Sequence, residues 1–290
     1  MTQNPGMETF SVVSWKVGDA VLTTLSDGYV RLELSQFLRN LPVETGETIQ
    51  KRALRRADFL MEINAYLVRS AKHGPILIDC GLGSGVIPTA GQLERSLAFA
   101  GLEPGDIETV LLTHLHGDHI GGLVDAAGNA VFENAKIIFH KAEADYWLEQ
   151  DIDLIADRQG AETARRALAK YTDRIVLLDG GMVAPDIEMI QLPGHTPGHA
   201  GYLVGTGQQS ILVWGDVVGL PHIQTAHPEA GFLTDYDSVM SENTRRAILG
   251  RVVDEGLTVA GMHIEFPGVA NAIRDGDGFR LVPAQWIAHQ

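Results

Sequence analysis

The stretch Thr113-His-Leu-His-Gly-Asp-His119 decides how this 290-residue sequence is interpreted. It follows the apolar run Val110-Leu-Leu112, which predicts that a buried strand ends where the histidines begin. Four side chains of metal-ligand type occur in the stretch: His114, His116, Asp118 and His119. One ion could not use all four comfortably, so the spacing suggests that the first two share one ion while the last two face a second.

Three further residues of ligand type each follow an apolar run later in the chain: His195, Asp216 and His263. A loop residue directly after a buried strand is where an α/β fold usually places its working groups. These three residues are therefore candidates for the same site.

The composition limits the classes of partner. A net charge of −15, from 37 acidic and 22 basic residues, argues against nucleic acid, because phosphate binding depends on lysine and arginine. The first residues lack the basic and apolar regions of an export signal, and no apolar run is long enough to cross a bilayer. We therefore expect a cytoplasmic protein without a membrane partner. The single cysteine, Cys80, cannot form an intrachain disulfide and is expected to be a buried thiol.

Strand-like and helix-like segments alternate along the chain, which predicts an α/β fold. The predicted strands cover residues 20–25, 65–68, 75–79, 109–113, 136–140, 187–191, 200–204, 210–214, 257–260 and 278–283. The predicted helices cover residues 92–100, a segment around 164–171, and 241–255. No low-complexity linker separates the halves, so we expect two βα halves packed sheet against sheet with helices outside. Residues 1–60 are interpreted as N-terminal strands and an arm or lid of the same domain, with the main domain over 61–290.

Residues 41–56 form a polar stretch that contains three arginines. This composition predicts a mobile arm or partner-contacting segment, or else a solvated surface loop.

The motifs H-x-H-x-D-H, G-H-T-P-G-H and G-D and a late histidine occur in this order within residues 60–265. This order resembles the binuclear metallo-β-lactamase superfamily. The resemblance implies an αββα sandwich, in which two mixed β-sheets pack face to face with helices outside. It also implies two divalent metal ions, with zinc expected first and manganese, cobalt or iron as alternatives.

The resemblance also assigns the site residues. It implies that His114, His116 and His195 bind the first ion, that Asp118, His119 and His263 bind the second, and that Asp216 bridges both. Asp79 would orient a ligand imidazole, and His199 would form hydrogen bonds within its loop rather than bind metal. A metal-bridging hydroxide would then attack the substrate, with Asp118 and Asp216 as the catalytic carboxylates and Asp118 accepting or passing the proton.

Two branches of the superfamily remain as alternatives. Acyl-homoserine lactonases share the ligand set, but they usually have tyrosine at the position of Gly219. The sequence resembles the methyl parathion hydrolase-like branch, with its lactonase and arylesterase relatives, over more of the chain. The matching segments are Ser26-Asp-Gly28, Glu143-Ala-Asp-Tyr-Trp-Leu148, His263-Ile-Glu-Phe-Pro-Gly268 and Arg280-Leu-Val-Pro283.

Several residues become candidates for substrate contact: Trp147, Phe37, Leu38, Gly219 and His222. An alternative role for Trp147 is to fill the core from an amphipathic helix. A lone histidine is more often a solvated or satisfied polar residue than a ligand. That interpretation applies to His73, His140, His227 and His289. For His222 it stands as an alternative to substrate contact.

The sequence thus predicts a binuclear hydrolase that opens a lactone or cleaves an ester, with promiscuous cleavage of phosphotriesters as a side activity. Quorum-quenching hydrolysis of acyl-homoserine lactones is the first alternative. A redox protein of another class, similar to persulfide dioxygenases, would use a single iron and only the first ligand group. A metal-stabilised binding protein without turnover is a third hypothesis. A homodimer formed through the N-terminal arm is also expected.

Overall fold

The computed structural model describes residues 11–56 and 59–287, so His289 lies outside the described residues. Numbered in chain order, the strands are β1 (Val12–Val17), β2 (Ala20–Leu32), β3 (Leu38–Arg39), β4 (Phe59–Ser70), β5 (His73–Ile78), β6 (Thr109–Leu111), β7 (Lys136–His140), β8 (Ile175–Leu178), β9 (Gly181–Ala184), β10 (Ile187–Gln191), β11 (Ala200–Val204), β12 (Ile211–Val213), β13 (Gly231–Phe232), β14 (Thr258–Ala260), β15 (Val269–Asp275) and β16 (Gly278–Pro283). The α-helices are α1 (Leu34–Phe37), α2 (Val43–Arg52), α3 (Leu93–Phe99), α4 (Gly117–Ile120), α5 (Lys141–Glu143), α6 (Arg158–Leu168), α7 (Pro221–Ala226) and α8 (Ser238–Glu255).

Two seven-stranded mixed sheets form the body of the fold. The first has the order β1-β2-β4-β5-β6-β7-β8, and the second has the order β16-β15-β14-β12-β11-β10-β9. A short antiparallel pair, β3 with β13, lies outside both sheets.

Alternation along the central strands builds the layers. Ile76 and Ile78 of β5 belong to the apolar cluster between the sheets, whereas Leu77 belongs to the cluster on the helix side of the first sheet. Successive side chains of a strand point to opposite faces, so a strand that is apolar throughout becomes buried on both sides. Helices α3 and α6 cover the first sheet, and α8 covers the second. The predicted sandwich of two sheets with outer helices is confirmed.

Strand direction decides where the candidate ligands meet. β5, β6 and β7 run parallel in the first sheet, and β12 runs parallel to β14 in the second. β10 is antiparallel to β11, which is antiparallel to β12, so β10 shares the direction of β12. The carboxyl ends of these strands therefore lie at one edge of each sheet, where polar loop residues can converge.

The expectation for residues 41–56 needs correction, because most of this segment is helix α2. Gly46 is buried in α2, and a Cβ there would lie 3.0 Å from Leu38 and 3.3 Å from Ile223. Glu44 in the first turn and Lys51 and Arg52 in the last complement the helix dipole. Val43 and Ile49 also pack against the apolar cluster, but Gly46 and Gln50 are the buried residues of this helix, which left little periodic signal in the sequence.

One other helix boundary differs from the prediction. Helix α8 begins at Ser238 rather than 241, because the Asp237 side chain accepts hydrogen bonds from the amides of Val239 and Met240. It ends before Gly256, whose φ of 65° is left-handed. None of the helices formed by residues 11–56 and 59–287 combines the length and the apolar character that a membrane span requires.

Asp27, within β2, organises the loop that follows β5. Its buried carboxylate accepts hydrogen bonds from the amides of Leu82 at 2.9 Å, Gly91 at 3.1 Å and Leu93 at 2.9 Å. Burial raises the pKa of Asp27, and these amide hydrogen bonds oppose that rise. The loop passes beneath the metal-ligand segment, since a Cβ on Gly83 would collide with the backbone of Gly121.

Replacing Asp27 with Ala should lower the free energy of unfolding by about 3 kcal/mol or more, because several amides lose their acceptor together. Chemical denaturation measures this change. Asp19→Ala is the matched control, because the Asp19 side chain is 84% exposed and pairs with Lys72 at the surface. A loss for Asp27→Ala no larger than for the control would contradict this role.

Candidate metal centre

The candidate ligands all come from loops at the shared edge of the two sheets. The loop after β6 and the short helix α4 supply His114, His116, Asp118 and His119. The second sheet supplies the other three from the loops after β10, β12 and β14: His195, Asp216 and His263. The fold thus brings together all seven ligand candidates.

The first group consists of three imidazoles. Nδ1 of His116 lies 3.0 Å from Nε2 of His114 and 3.0 Å from Nε2 of His195. His114 and His195 are buried, with 0% and 4% of their surface exposed. Three nitrogen atoms at these separations match the facial ligand set of a first-row metal ion.

Asp118, His119 and His263 form the second group. The Oδ2 atom of Asp118 lies 3.6 Å from Nε2 of His119 and 3.5 Å from Nε2 of His263. The carboxylate of Asp216 lies between the groups: its Oδ1 is 3.3 Å from His119 Nε2, and its Oδ2 is 3.3 Å from His195 Nε2. One carboxylate therefore faces both ligand groups.

Hydrogen bonds behind the rings fix which nitrogen faces the centre. Three imidazoles donate from Nδ1 to an oxygen acceptor: His119 to Asp79 at 2.7 Å, His195 to Asp235 at 2.8 Å and His263 to the Glu62 carbonyl at 2.6 Å. Because Nδ1 carries the proton, the Nε2 lone pair of each ring points into the ligand group. These contacts orient the rings for metal binding.

The Thr113 hydroxyl orients His114 in the same way. It donates to Asp79 at 2.7 Å, so its oxygen accepts from Nδ1 of His114 at 3.0 Å. Asp79 also accepts from the Thr113 amide at 2.8 Å.

Two buried atoms of the centre, Nε2 of His119 and Oδ1 of Asp216, have no hydrogen-bond partner among the described residues. A buried polar atom without a partner costs free energy, and converging lone pairs cannot satisfy one another. A divalent cation would accept the lone pairs of these nitrogen and oxygen atoms and so give each a partner. The residues therefore fit a pair of metal ions.

The electrostatics also suit metal ligands. Burial, together with the neighbouring imidazoles, holds the pKa of His114 and His116 well below the ordinary value, which keeps both rings neutral. Burial also lowers the pKa of His195, but hydrogen bonds to Asp216 and Asp235 outweigh this effect and raise it to about 9. A metal ion therefore competes with a proton at that ring.

His199 contacts the candidate bridging residue. Its Nδ1 donates to the Leu192 carbonyl at 2.9 Å, and its Nε2 accepts from the Asp216 amide at 2.9 Å. Burial lowers its pKa to about 3, so the ring stays neutral and keeps that acceptor. The structure thus places His199 behind the ligands.

Sequence reasoning missed two carboxylates in this supporting layer. Asp235 holds His195, and its pKa is lowered because His195, with a smaller effect of Arg245, outweighs burial. Asp235 belongs to no motif, so the sequence carried no signal for it. Glu143 opens the quoted Glu143–Leu148 motif, and that position could have drawn attention to it.

Glu143 joins the two ligand loops. Its buried carboxylate accepts from the amides of Leu115 at 3.0 Å and Gly198 at 2.8 Å, and from Nε1 of Trp147 at 2.9 Å. Leu115 lies between two first-group histidines, and Gly198 lies in the loop of His195. One side chain thereby sets the spacing of segments from different sheets.

Two cavities open beside the centre. One of about 200 Å³ is lined by Asp118, Asp216, His263, Phe37, Phe232 and other residues. A second of about 530 Å³ is lined by His116, His195, Tyr146, Trp147, Leu233, Tyr236 and other residues. Substrate groups could therefore approach the ligand groups from two sides.

The substrate-contact candidates have different surroundings. Phe37 lines the smaller cavity, and Trp147 lines the larger one with only 2% of its surface exposed. Leu38 instead packs in an apolar core cluster beside β13, at the point where the chain leaves helix α1 and becomes extended in β3. It is not among the lining residues of either cavity, contrary to its expected place in a lid.

Gly219 lies beneath an aromatic ring. A Cβ at this position would lie 2.3 Å from Cζ of Phe232, so a side chain here would displace that ring. His222 lies farther out, where Nε2 is 3.2 Å from Glu265 and the side chain is 28% exposed. It is not among the residues lining the two cavities.

Glu143→Ala should lower the free energy of unfolding by about 3 kcal/mol, because three donors lose a buried acceptor. Glu149→Ala, an exposed position at the end of the helical segment that follows Glu143, is the control and should change stability by less than about 0.5 kcal/mol. Urea denaturation of both variants measures the difference, and equal effects would show that Glu143 does not join the loops.

Several known proteins are similar to this chain. A lactonase of a Bacillus species, named N-acyl homoserine lactonase, is 26% identical over 160 residues, which are 49% of this chain and 57% of that protein. The same activity name belongs to relatives from Bacillus thuringiensis, at 24% identity over 51% of this chain and 60% of theirs. The chain thus spans about 57–60% of the length of these curated relatives.

Two solved structures are similar over nearly the whole fold. AidC, a dizinc quorum-quenching lactonase in complex with a product, N-hexanoyl-L-homoserine, has a TM-score of 0.89 at 28% identity and covers 96% of this chain and 99% of its own. AbOPH, a hydrolase in the beta-lactamase superfamily, has a TM-score of 0.88 at 28% identity, with 97% and 100% covered. The family profile matches residues 59–263, which include every candidate ligand. By this match, by its two-sheet sandwich and by its ligand order, the chain belongs to the metallo-beta-lactamase superfamily.

Proposed function

We propose that this protein is a binuclear metal-dependent hydrolase that opens a lactone or cleaves an ester. The observation that carries the proposal is the position of Asp216, which faces both ligand groups and has a buried oxygen with no hydrogen-bond partner within residues 11–56 and 59–287. The similarity to a dizinc lactonase and to a second hydrolase of the superfamily supports it.

His114, His116 and His195 would hold the first ion, and Asp118, His119 and His263 the second, with Asp216 shared. Two divalent ions supply activated water at neutral pH and a Lewis acid for a carbonyl or phosphoryl oxygen. Zinc is our first expectation, since the similar lactonase is dizinc.

Asp118 is the carboxylate placed to handle a proton. It is 20% exposed and lines the smaller cavity, whereas Asp216 is only 7% exposed at its side chain. An accessible carboxylate beside the reacting atoms can accept the proton of the attacking water and pass it to the leaving oxygen.

The cavities suit a substrate with one polar and one apolar part. The smaller cavity contacts both ligand groups, while the larger cavity is lined by Tyr146, Trp147 and Tyr236. An N-acyl homoserine lactone has such parts, and so has an aryl ester. The curated relatives named as N-acyl homoserine lactonases make that lactone the first substrate to test.

The redox alternative with a single iron is less well supported. It needs only the three histidines of the first group, yet a second group of Asp118, His119 and His263 lies beside them with ligand atoms within 4.8 Å of one another. The metal-stabilised binding protein without turnover stays an alternative outcome of the substrate screen.

Asp216→Ala should lose one or both ions and abolish lactone hydrolysis, because neither group keeps its shared ligand. Metal analysis of the purified variant, paired with a hydrolysis assay, measures both losses. Asp254→Ala is the control, since that carboxylate is 66% exposed and pairs with Arg274 at the surface. An Asp216→Ala variant with full activity would rule out this mechanism.

A panel of N-hexanoyl homoserine lactone, dihydrocoumarin, an aryl acetate and a phosphotriester tests the substrate class. We expect the lactones and the ester to react much faster than the phosphotriester, which would fit either lactonase branch. The ratio of the first two rates discriminates acyl-homoserine lactonase from the methyl parathion hydrolase-like branch. No turnover by metal-loaded protein would instead favour the binding protein.

The homodimer formed through the N-terminal arm and the cytoplasmic location remain predictions. Light scattering of purified protein should give about twice the chain mass of 31.4 kDa. A single-chain mass at micromolar concentration would contradict the dimer.

A further inference from the structure

Arg245 is a buried cation outside the ligand set. It lies on helix α8, with 0% of its surface exposed. Burying a guanidinium is costly unless its donors are satisfied, so an arginine at such a position needs a structural explanation.

The guanidinium donates hydrogen bonds to the backbone at both ends of residues 217–230. Its Nε donates to the Val217 carbonyl at 2.6 Å, and its Nη1 donates to the carbonyls of Pro228 and Ala230 at 2.8 Å each. Its Nη2 donates to the Ser241 hydroxyl at 3.1 Å. These bonds fix both ends of residues 217–230 against α8.

Each end of that segment leads directly to the metal centre. Val217 follows Asp216, the residue that faces both ligand groups. Ala230 lies just before Phe232, whose amide donates to Asp235 at 2.9 Å, and Asp235 in turn accepts from His195 at 2.8 Å. Arg245 is therefore linked to the shared Asp216 through the adjacent residue, and to His195 through two residues of backbone and two hydrogen bonds.

The same part of α8 holds the loop of His195. The Thr244 hydroxyl donates to the Pro193 carbonyl at 2.6 Å, and the Asp237 amide donates to Gly194 at 3.0 Å. A Cβ at Gly194 would lie 2.3 Å from the Ser241 amide, so loop and helix are in close contact. Helix α8 and its N-cap thus hold the loop of His195, and Arg245 on the same helix holds the segment that follows Asp216.

We infer that Arg245 is a positioning residue of the metal centre, which holds Asp216 and the Asp235–His195 pair at the separation that two ions require. The forked guanidinium is needed because its donors reach separate carbonyls at fixed angles, which the single ammonium of lysine cannot do. This inference rests on the proposed function only in assuming that the site holds metal.

The test is a cobalt(II) titration of the full chain, followed by visible absorption, for wild type, Arg245→Lys and Arg245→Met. Loss of a partner behind the ligands typically weakens metal affinity about 10–100-fold, so we expect a loss in that range for both variants and a changed cobalt spectrum. Arg246→Met is the matched control, because this neighbouring arginine is 44% exposed and pairs with Glu229 and Glu242. It should bind cobalt as wild type does.

Thermal unfolding of the same samples separates positioning from simple stabilisation. Variants that melt earlier but bind cobalt with unchanged affinity and spectrum would overturn the inference. If Arg245→Met does not fold, Arg245→Lys decides, since it keeps the charge and most of the volume. Wild type that binds two cobalt ions but hydrolyses neither lactone nor ester would defeat the proposed function and leave the inference about Arg245 intact.

Discussion

The structure depends on seven polar side chains that aim lone pairs and carboxylate oxygens at one small volume at the shared edge of the two sheets. Such convergence is unfavourable in a buried place unless a cation occupies it, because these acceptors cannot bond to one another. Nε2 of His119 and Oδ1 of Asp216 show this demand directly, as buried atoms without partners among the described residues. Contacts from the rest of the fold hold these side chains close together despite their mutual repulsion.

Carboxylates and carbonyls behind the candidate ligands provide these contacts. Asp79 holds His119, Asp235 holds His195 and Glu143 ties the two loops together. Each contact joins residues that are far apart in the chain, so the geometry of the centre is coupled to the packing of both sheets. Metal binding and folding stability should therefore support each other.

The sequence predicted which polar residues would converge, because each candidate follows a strand that is recognisable by its apolar run, and parallel strands bring their ends to one edge. It could not predict Asp235, which reaches His195 only because the Tyr236 amide donates to the His195 carbonyl at 3.0 Å. The adjacent Arg245 and Arg246 look alike in sequence, yet one is buried and the other is a surface residue. Helix α2 escaped prediction because its buried residues are Gly46 and Gln50, which weaken the apolar pattern. In each case tertiary contacts, and not local pattern, decide the outcome.

Anomalous diffraction from crystals of the zinc-loaded protein tests whether two ions share Asp216. Data measured on both sides of the zinc absorption edge should show two peaks per chain about 3.5–4 Å apart, one on each side of the Asp216 carboxylate. A single peak among His114, His116 and His195, with Asp118 and His263 turned away from any ion, would contradict a shared role of Asp216.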